Sequence, residues 1–576
     1  MKFNRLTLVA LATSAFLTAC GGGGGGDSGG GNNGGNNGGG EAPTVPTVPT
    51  SPGTEGSSLK VFCSGANCGA VSENAYSGSG VGVWQHENAT EQPKNVNVNI
   101  SGVAGKTLYA ALVNISPESV SISNNNLNTL LQIQDAGSLN KKEVSADANV
   151  NADEVKAQEF HKKLNDFSND SVKMLKIADP SEKMAAMKLA QANPLVIGET
   201  QVFSFYNGVT TTYNNQNFRF VKSVQANDGR TIQYWVQDSE WNPSKIVESD
   251  IEFLNTKFLK TYSENKRLNG EPYGTAAEKY SNLIPSANQP INILLGNITP
   301  NNRGYGVAGY FYSLNNFLKS AQPTSNEALQ VFLDTENIYT LKGNYEPEGS
   351  AGREEGLDLT ATSLIHEFSH LIAYYERNLV RNVTDTNSFL SESIALSTEF
   401  LLQDLAGFKT DIFATRSWPF MVQNTTNKCG IFSWNICTNS YERTSTLMAF
   451  MASKYGPAFH QSYVRDISSA NMYYMFNNRI SGSGQNFTDE VKRFAMLPAG
   501  LDVEMPAGFG LGGLERDGLK VKKYNGVLTA SGESMTNVQT LPDFGASYFL
   551  KSKIQGNDIQ KTVIVPAGTA LVLMVK

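Results

Sequence analysis

The sequence predicts a multidomain protein in which a mixed α/β domain, of the α+β kind, is flanked by β-rich modules. Its 576 residues exceed what a single hydrophobic core organises, so several domains are expected. Residues 96–100 alternate apolar and polar side chains, which is typical of a half-buried strand. Residues 291–295 and 329–333 are short apolar runs that favour buried strands, and the pattern over residues 359–463 is mostly helical.

Changes in composition divide the chain into seven predicted segments. Gly and Asn make up almost all of residues 21–40, and Pro, Thr and Ser dominate residues 43–58, as in flexible and extended tethers. The predicted segments are 1–19 (signal peptide), 20–58 (tether beginning at Cys20), 59–150 (β-rich N-terminal domain), 151–195 (helical connector), 196–244 (small β-rich module), 245–505 (α/β domain) and 506–576 (C-terminal β-rich segment).

The first twenty residues have the pattern of an export signal. Lys2 and Arg5 precede an apolar run over residues 6–17, which is too short to span a membrane. Leu, Thr and Ala then lead into Cys20, and this ending resembles a bacterial lipoprotein signal. The resemblance implies a lipid on Cys20 and an exported protein held at the outer membrane or cell surface. A plain secretory signal is the alternative.

The charge balance argues against a nucleic-acid partner. The formal net charge is -7, and the sequence has no dense run of Lys and Arg. Binding to nucleic acids depends on neutralising phosphates with basic side chains. The composition therefore favours partners of other classes.

The four cysteines beyond Cys20 fit an oxidising compartment. Cys63 and Cys68 are close in sequence, and so are Cys429 and Cys437. An even number of cysteines in an exported chain favours a disulfide within each close pair. A structural zinc site is the rival interpretation, but the two pairs lie far apart and neither has the CxxC spacing.

The segment His-Glu-Phe-Ser-His at residues 366–370 carries the strongest chemical signal. Residues four apart lie on one face of a helix, so His366 and His370 can reach a single metal ion. Glu367 projects beside them, where it can accept a proton from the attacking water. Residues 359–381 contain neither Pro nor Gly, which supports a helix. The other histidines have no such neighbours and are interpreted as ordinary polar residues: His86, His161 and His460.

A catalytic zinc site needs a third protein ligand. In the metzincin arrangement, a Gly and a third ligand follow three and six residues after His370, but Ala373 and Glu376 hold these positions. Ala373 disfavours the sharp turn that the arrangement requires. A second predicted helix over residues 389–399 offers a better candidate, because it carries Glu392, with Glu399 on the same face.

The segments HEFSHLI at 366–372 and FLSESIALSTEF at 389–400 resemble the gluzincin zinc peptidases, in particular the hyicolysin-type secreted metallopeptidases. The likeness covers about residues 200–463, including 308–311, 331–335 and 441–443. It implies a thermolysin-like zincin domain with Glu367 as the general base. It also implies one Zn²⁺ ion, held by His366, His370 and Glu392.

The sequence departs from the gluzincin pattern at two places. Ser391 and Ser393 flank Glu392, where the family often has Asn and Gly. Leu396 stands where many gluzincins carry an acid that orients a histidine ligand. Glu399 is the candidate for that orienting role.

Tyr441 opens a segment similar to the one whose tyrosine, in gluzincins, donates a hydrogen bond to the developing oxyanion. The resemblance implies that Tyr441 is a second catalytic residue beside Glu367. The alternative is an aromatic residue that only lines an interface.

These observations together predict a surface-anchored zinc endopeptidase that acts on a protein or peptide. A surface adhesin that retains the zincin fold is one alternative, although Glu367 has no use in a pure binder. An aminopeptidase is another, although no motif for gripping a free amino terminus is recognisable. Residues 153–192 are either a retained connector or a pro-segment that is removed.

Overall fold

The architecture comes from a computed structural model that describes most of the chain beyond the predicted tether. Cys20, Cys429 and Cys437 lie outside the described residues, as does the predicted signal peptide. No helix among the described residues is both long and apolar enough to cross a membrane. The described residues are 57–122, 152–179, 195–286, 289–301, 306–345, 351–384, 386–411, 430–432, 434, 440–467, 471–500, 503–511, 513–521, 540–541, 543–544 and 547–576.

Strands dominate both ends of the described chain, and helices dominate the region between them. The strands are β1 (Ser57–Ser58), β2 (Lys60–Val61), β3 (Ala70–Ser72), β4 (Ala75–Tyr76), β5 (Gly82–Asn88), β6 (Lys94–Ser101), β7 (Thr107–Asn114), β8 (Val120–Ser121), β9 (Thr200–Asn207), β10 (Thr212–Gln225), β11 (Thr231–Gln237), β12 (Ile291–Gly296), β13 (Gly309–Phe311), β14 (Leu329–Asp334), β15 (Leu514–Arg516), β16 (Leu519–Val521), β17 (Thr540–Leu541), β18 (Ser547–Lys553), β19 (Asp558–Val565) and β20 (Thr569–Val575). The helices are α1 (Ala152–Met174), α2 (Glu248–Asn269), α3 (Glu336–Tyr345), α4 (Ala351–Ala373), α5 (Ser388–Ala406), α6 (Ser440–Val464), α7 (Met472–Ser481), α8 (Phe487–Ala495) and α9 (Leu497–Gly500).

Strands from both ends of the chain form one pair of five-stranded sheets. In β6, Val96, Val98 and Ile100 are buried and the residues between them are not, which confirms the predicted half-buried strand. β19 pairs with β6 in one sheet, and β20 lies between β5 and β7 in the other. Segments 59–150 and 506–576, which composition separates, therefore share one β-sandwich with a continuous core.

The central sheet likewise joins two segments that composition separates. Its strand order is β13-β14-β12-β11-β10-β9, so the strands of residues 196–244 continue the sheet of residues 245–505. β11, β12 and β14 run parallel, and β13 is antiparallel to β14 at the sheet edge. Every residue of β12 and β14 is buried, which confirms the two predicted buried strands.

Helix α2 fixes the position of α4 on the central sheet. Phe258 and Tyr262 of α2 contact the ring of Phe368 in α4, with ring centroids 5.0 and 5.5 Å apart. The amide of Asn265 in α2 donates to the carbonyl of Ile365 at 3.3 Å and lies 3.2 Å from the hydroxyl oxygen of Ser369. Apolar contacts set the distance between the two helices, and the directional hydrogen bonds set the rotation of α4 about its axis.

The helical region and the sandwich contact each other through both apolar and charged groups. The Lys492 ammonium of α8 lies 5.1 Å from the centre of the Phe62 ring and 2.9 Å from the Glu87 carboxylate. The result is a multidomain structure of mixed sheets and helices, which confirms the coarse fold class predicted from sequence. Within the sandwich, Cys63 and Cys68 form the disulfide that their spacing predicts.

Candidate metal centre

Helix α4 carries two histidines on one face. Its apolar face is fully buried, because Leu364, Phe368 and Leu371 are all 0% exposed. Glu367 and His370 lie on another side of the helix, where they line a cavity. His366 and His370 are one turn apart, and their ring centroids are 4.8 Å apart.

Helix α5 brings two carboxylates to the same place. The side chain of Asn387 accepts a hydrogen bond from the backbone N–H of Leu390 and so caps the start of the helix. Gly407 ends it in the left-handed conformation, with φ of 66°, which a glycine adopts without strain. Between these ends, Glu392 and Glu399 lie seven residues apart, about two turns, and therefore share a face.

Three side chains converge with the spacing of a zinc ligand set. The Nε2 atoms of His366 and His370 are 3.1 Å apart. Carboxylate oxygens of Glu392 lie 3.3 Å from Nε2 of His366 and 3.2 Å from Nε2 of His370. Bonds of about 2.0–2.1 Å in a tetrahedron place neighbouring donor atoms roughly 3.3 Å apart. The donor types and their separations therefore fit one zinc ion, and this is the set of possible metal ligands found among the described residues.

The other ring nitrogen of each histidine faces a polar partner. Nδ1 of His366 lies 2.5 Å from a carboxylate oxygen of Glu399. Nδ1 of His370 lies 3.2 Å from the hydroxyl oxygen of Ser391. Partners at Nδ1 favour the tautomer that leaves Nε2 unprotonated and able to bind a metal. Sequence reasoning treated Ser391 only as a departure from a family pattern, although its position next to Glu392 places it beside the ligands.

Burial keeps His370 in the form that binds metals. It lowers the pKa of His370 well below its usual range, and the nearby His366 lowers it further because two positive imidazolium groups repel each other. His370 is therefore neutral near pH 7, and a neutral imidazole is the form that coordinates zinc.

Glu367 lies on the wall of the cavity beside His370 and Glu392. Its side chain is 0% exposed and approaches the edge strand β13 closely. A Cβ atom at Gly309 of that strand would lie 3.1 Å from Cγ of Glu367, tighter than ordinary contact. Gly309 therefore makes room for Glu367 between α4 and the sheet edge.

His161 belongs to this cavity, which corrects its interpretation from sequence as an ordinary polar residue. It lies on α1, is 2% exposed, and lines the cavity with Glu367 and His370. Burial lowers the pKa of His161 well below its usual range, and His370 and His366 lower it further. No local motif could reveal this placement, because α1 precedes α4 by nearly two hundred residues.

Two other histidines lie outside the cavity lining. His460 is buried, with Nδ1 3.0 Å from the Ser397 hydroxyl and Nε2 2.7 Å from the Asn269 side-chain oxygen. His86 belongs to the sandwich strand β5, and its Nδ1 lies 3.0 Å from the backbone carbonyl of Ser58.

Tyr441 is placed at the start of α6 and is 3% exposed. Its ring packs edge-on against Trp434, with ring centroids 4.9 Å apart. Among the described residues, those that line the cavity of Glu367 do not include Tyr441. The geometry therefore brings together His366, Glu367, His370, Glu392 and Glu399, and places Tyr441 on a neighbouring helix.

Known protein families match two parts of the chain. The family described as Peptidase M30 matches residues 214–576, which include the three candidate metal ligands and Glu367. A domain of unknown function (DUF8571) matches residues 62–126, the first part of the sandwich. No curated protein matches the chain. Since the Peptidase M30 match covers well over half of the chain, the protein belongs to the Peptidase M30 family of metallopeptidases.

Proposed function

We propose that the protein is a zinc-dependent endopeptidase of the gluzincin kind, with a thermolysin-like catalytic domain. The observation that carries the proposal is the convergence of His366, His370 and Glu392 at distances of 3.1–3.3 Å, with Glu367 on the same cavity wall. Three protein ligands leave one position open for water, as in catalytic rather than structural zinc sites.

In the proposed mechanism, one group of side chains holds the metal and another side chain transfers protons. A zinc ion held by His366, His370 and Glu392 would polarise the peptide carbonyl and acidify water. Glu367 takes a proton from the attacking water and later passes it to the leaving amine. Its position on the cavity wall beside His370 and Glu392 supports this role, because a general base must lie within reach of the water that it deprotonates.

Two measurements on the purified chain without its first 20 residues test the proposal. We expect about one zinc per chain by elemental analysis. We also expect the chain to cleave an internally quenched peptide, and this cleavage should stop when the chelator dipicolinate is added and return when zinc is restored. An aminoacyl reporter should be cleaved much more slowly than the internal peptide. A zinc-loaded chain that cleaves only the aminoacyl reporter would identify an aminopeptidase, and one that binds zinc but cleaves neither would favour the adhesin.

Glu399 is proposed to orient His366 and to raise its basicity as a ligand. Its carboxylate lies 2.5 Å from Nδ1 of His366, and it is not a zinc ligand in the proposal. We expect Glu399→Gln to weaken zinc binding by about ten- to a hundredfold while the fold survives, because such partners typically contribute that much. Competition with a zinc-selective chelator measures the change.

Asp404→Asn is the matched control for Glu399→Gln. It makes the same carboxylate-to-amide change on the same helix, at an exposed position. An equal loss of zinc affinity in both variants would contradict the orienting role and indicate a general effect on α5.

Tyr441 is proposed to donate a hydrogen bond to the oxyanion, as the resemblance to gluzincins implies. For Tyr441→Phe we expect a loss of about a hundred- to a thousandfold in turnover, with zinc content unchanged, because the donor acts on the transition state. Steady-state kinetics on the quenched peptide measure the loss. Unchanged turnover would leave Tyr441 as a packing residue beside Trp434.

Export and lipid anchoring through Cys20 are proposed from the signal sequence alone. Labelled palmitate should enter the wild-type chain and not Cys20→Ser when both are expressed in a bacterium with a lipoprotein pathway. Label in both variants would contradict acylation of Cys20.

A further inference from the structure

Helix α1 lines the cavity that contains the candidate metal centre. His161, Leu164, Asn165 and Ser168 of this helix line the same cavity as Glu367, His370 and Glu392. His161 and Leu164 are 2% and 7% exposed, so this face of α1 is turned inward. The helix forms the side of the cavity that faces the metal ligands.

One set of contacts joins α1 to the sheet-edge wall of the cleft. Phe160 stacks on Tyr206 with ring centroids 3.6 Å apart and meets Tyr310 of β13 edge-on at 5.3 Å. The hydroxyl oxygens of Ser168 and Ser313 are 2.8 Å apart. These contacts hold α1 beside the strand that runs past Glu367.

A second set joins α1 to the opposite, helical wall. The side-chain amides of Asn165 and Asn169 each donate to the backbone carbonyl of Thr386 at 3.0 Å. The hydroxyls of Ser171 and Tyr374 are 2.9 Å apart. The helix thus bridges both walls with hydrogen bonds between neutral groups, and each such bond is worth only about 1 kcal/mol net.

The space that remains beneath α1 is too small for a peptide substrate. The cavity volume is about 50 Å³, enough for a few water molecules. Sites that bind small molecules typically enclose roughly 300–1,000 Å³. A peptide therefore reaches Glu367 only if α1 moves away.

We propose that helix α1 is an autoinhibitory cover that occupies the substrate cleft, so that the chain cleaves peptides only slowly until α1 is displaced. This inference rests on the proposed peptidase function and describes how the peptidase activity is regulated. It is supported by the position of α1 outside residues 214–576, the part that matches the peptidase family. Helix α1 is therefore outside the part that the family model matches, as we expect for an element that restrains the catalytic domain.

The test compares two alanine variants on neighbouring positions of α1. Leu164→Ala removes a buried contact made only in the covered state, and Lys163→Ala truncates an exposed side chain. The probe is a fluorescent peptide hydroxamate that binds the zinc-loaded chain. We expect Leu164→Ala to bind the hydroxamate at least about tenfold more tightly than wild type does, because the covered state loses stability. Lys163→Ala should bind it as wild type does.

Hydrogen exchange gives a readout that needs no turnover. The amides of residues 160–174 should exchange slowly in the zinc-loaded wild type, faster in Leu164→Ala, and faster in both when the hydroxamate is bound. Equal hydroxamate affinity in wild type and Leu164→Ala, or unchanged exchange of these amides on binding, would overturn the proposal.

The same variants distinguish an error in the proposal that α1 is a cover from an error in the proposed peptidase function. If α1 is an integral wall of the active site, Leu164→Ala will cleave the quenched peptide more slowly than wild type, which overturns the cover alone. If Leu164→Ala binds the hydroxamate more tightly and exposes α1 but still cleaves no peptide, the cover stands and the peptidase assignment fails.

Discussion

Replacing Glu367 with glutamine is expected to lower peptide turnover by about two to four orders of magnitude while zinc content stays at the wild-type level. General acid–base groups typically contribute a factor of about 10²–10⁴. Glutamine has nearly the same shape and fills the space beside Gly309, but it cannot accept the proton of the attacking water. The proposed ligand set of His366, His370 and Glu392 is untouched. Single-turnover cleavage of the quenched peptide, alongside elemental analysis, measures both quantities.

Glu354→Gln is the matched control for this substitution. It makes the same change on the same helix, at a carboxylate that pairs with Lys409 near the helix start. We expect Glu354→Gln to keep wild-type turnover, because a partly exposed ion pair contributes little to stability. A Glu367→Gln variant that cleaves as fast as the control would contradict the proposed general base.

Replacing His370 with alanine is expected to release the metal and to abolish peptide cleavage. Zinc sites of this class depend on three protein ligands, and His370 is one of only two nitrogen donors in the set. The variant should contain less than about a tenth of a zinc ion per chain after dialysis. Elemental analysis measures the metal, and circular dichroism checks that the helices remain.

His86→Ala serves as the control for His370→Ala. His86 lies in the sandwich, and its loss should leave both zinc and turnover unchanged. Full zinc content in His370→Ala would show that the zinc is held elsewhere. Loss of zinc in both variants would point to general destabilisation rather than to a ligand.

The sequence by itself determined the features that depend on neighbours along the chain. The spacing of His366 and His370 follows from the helical repeat, and the apolar pattern around them fixes which face of α4 is buried. Alternation predicted β6, and apolar runs predicted β12 and β14. The short separation of Cys63 and Cys68 predicted their disulfide. The family-like motifs predicted membership of a metallopeptidase family, which the match to residues 214–576 supports.

Only the tertiary structure decided which distant segments meet. Asn88 of β5 hydrogen-bonds the carbonyl of Val565, 477 residues away, so strands from both ends share one sandwich. The side chains of His161 and Leu164 line the cavity of the candidate metal centre, and they come from a helix that the sequence left as either a connector or a pro-segment. The sequence placed Glu399 on one face with Glu392, but only the packing of α5 against α4 set it at Nδ1 of His366. Periodicity records which face of an element is buried, whereas the identity of its partner depends on long-range packing that no local pattern encodes.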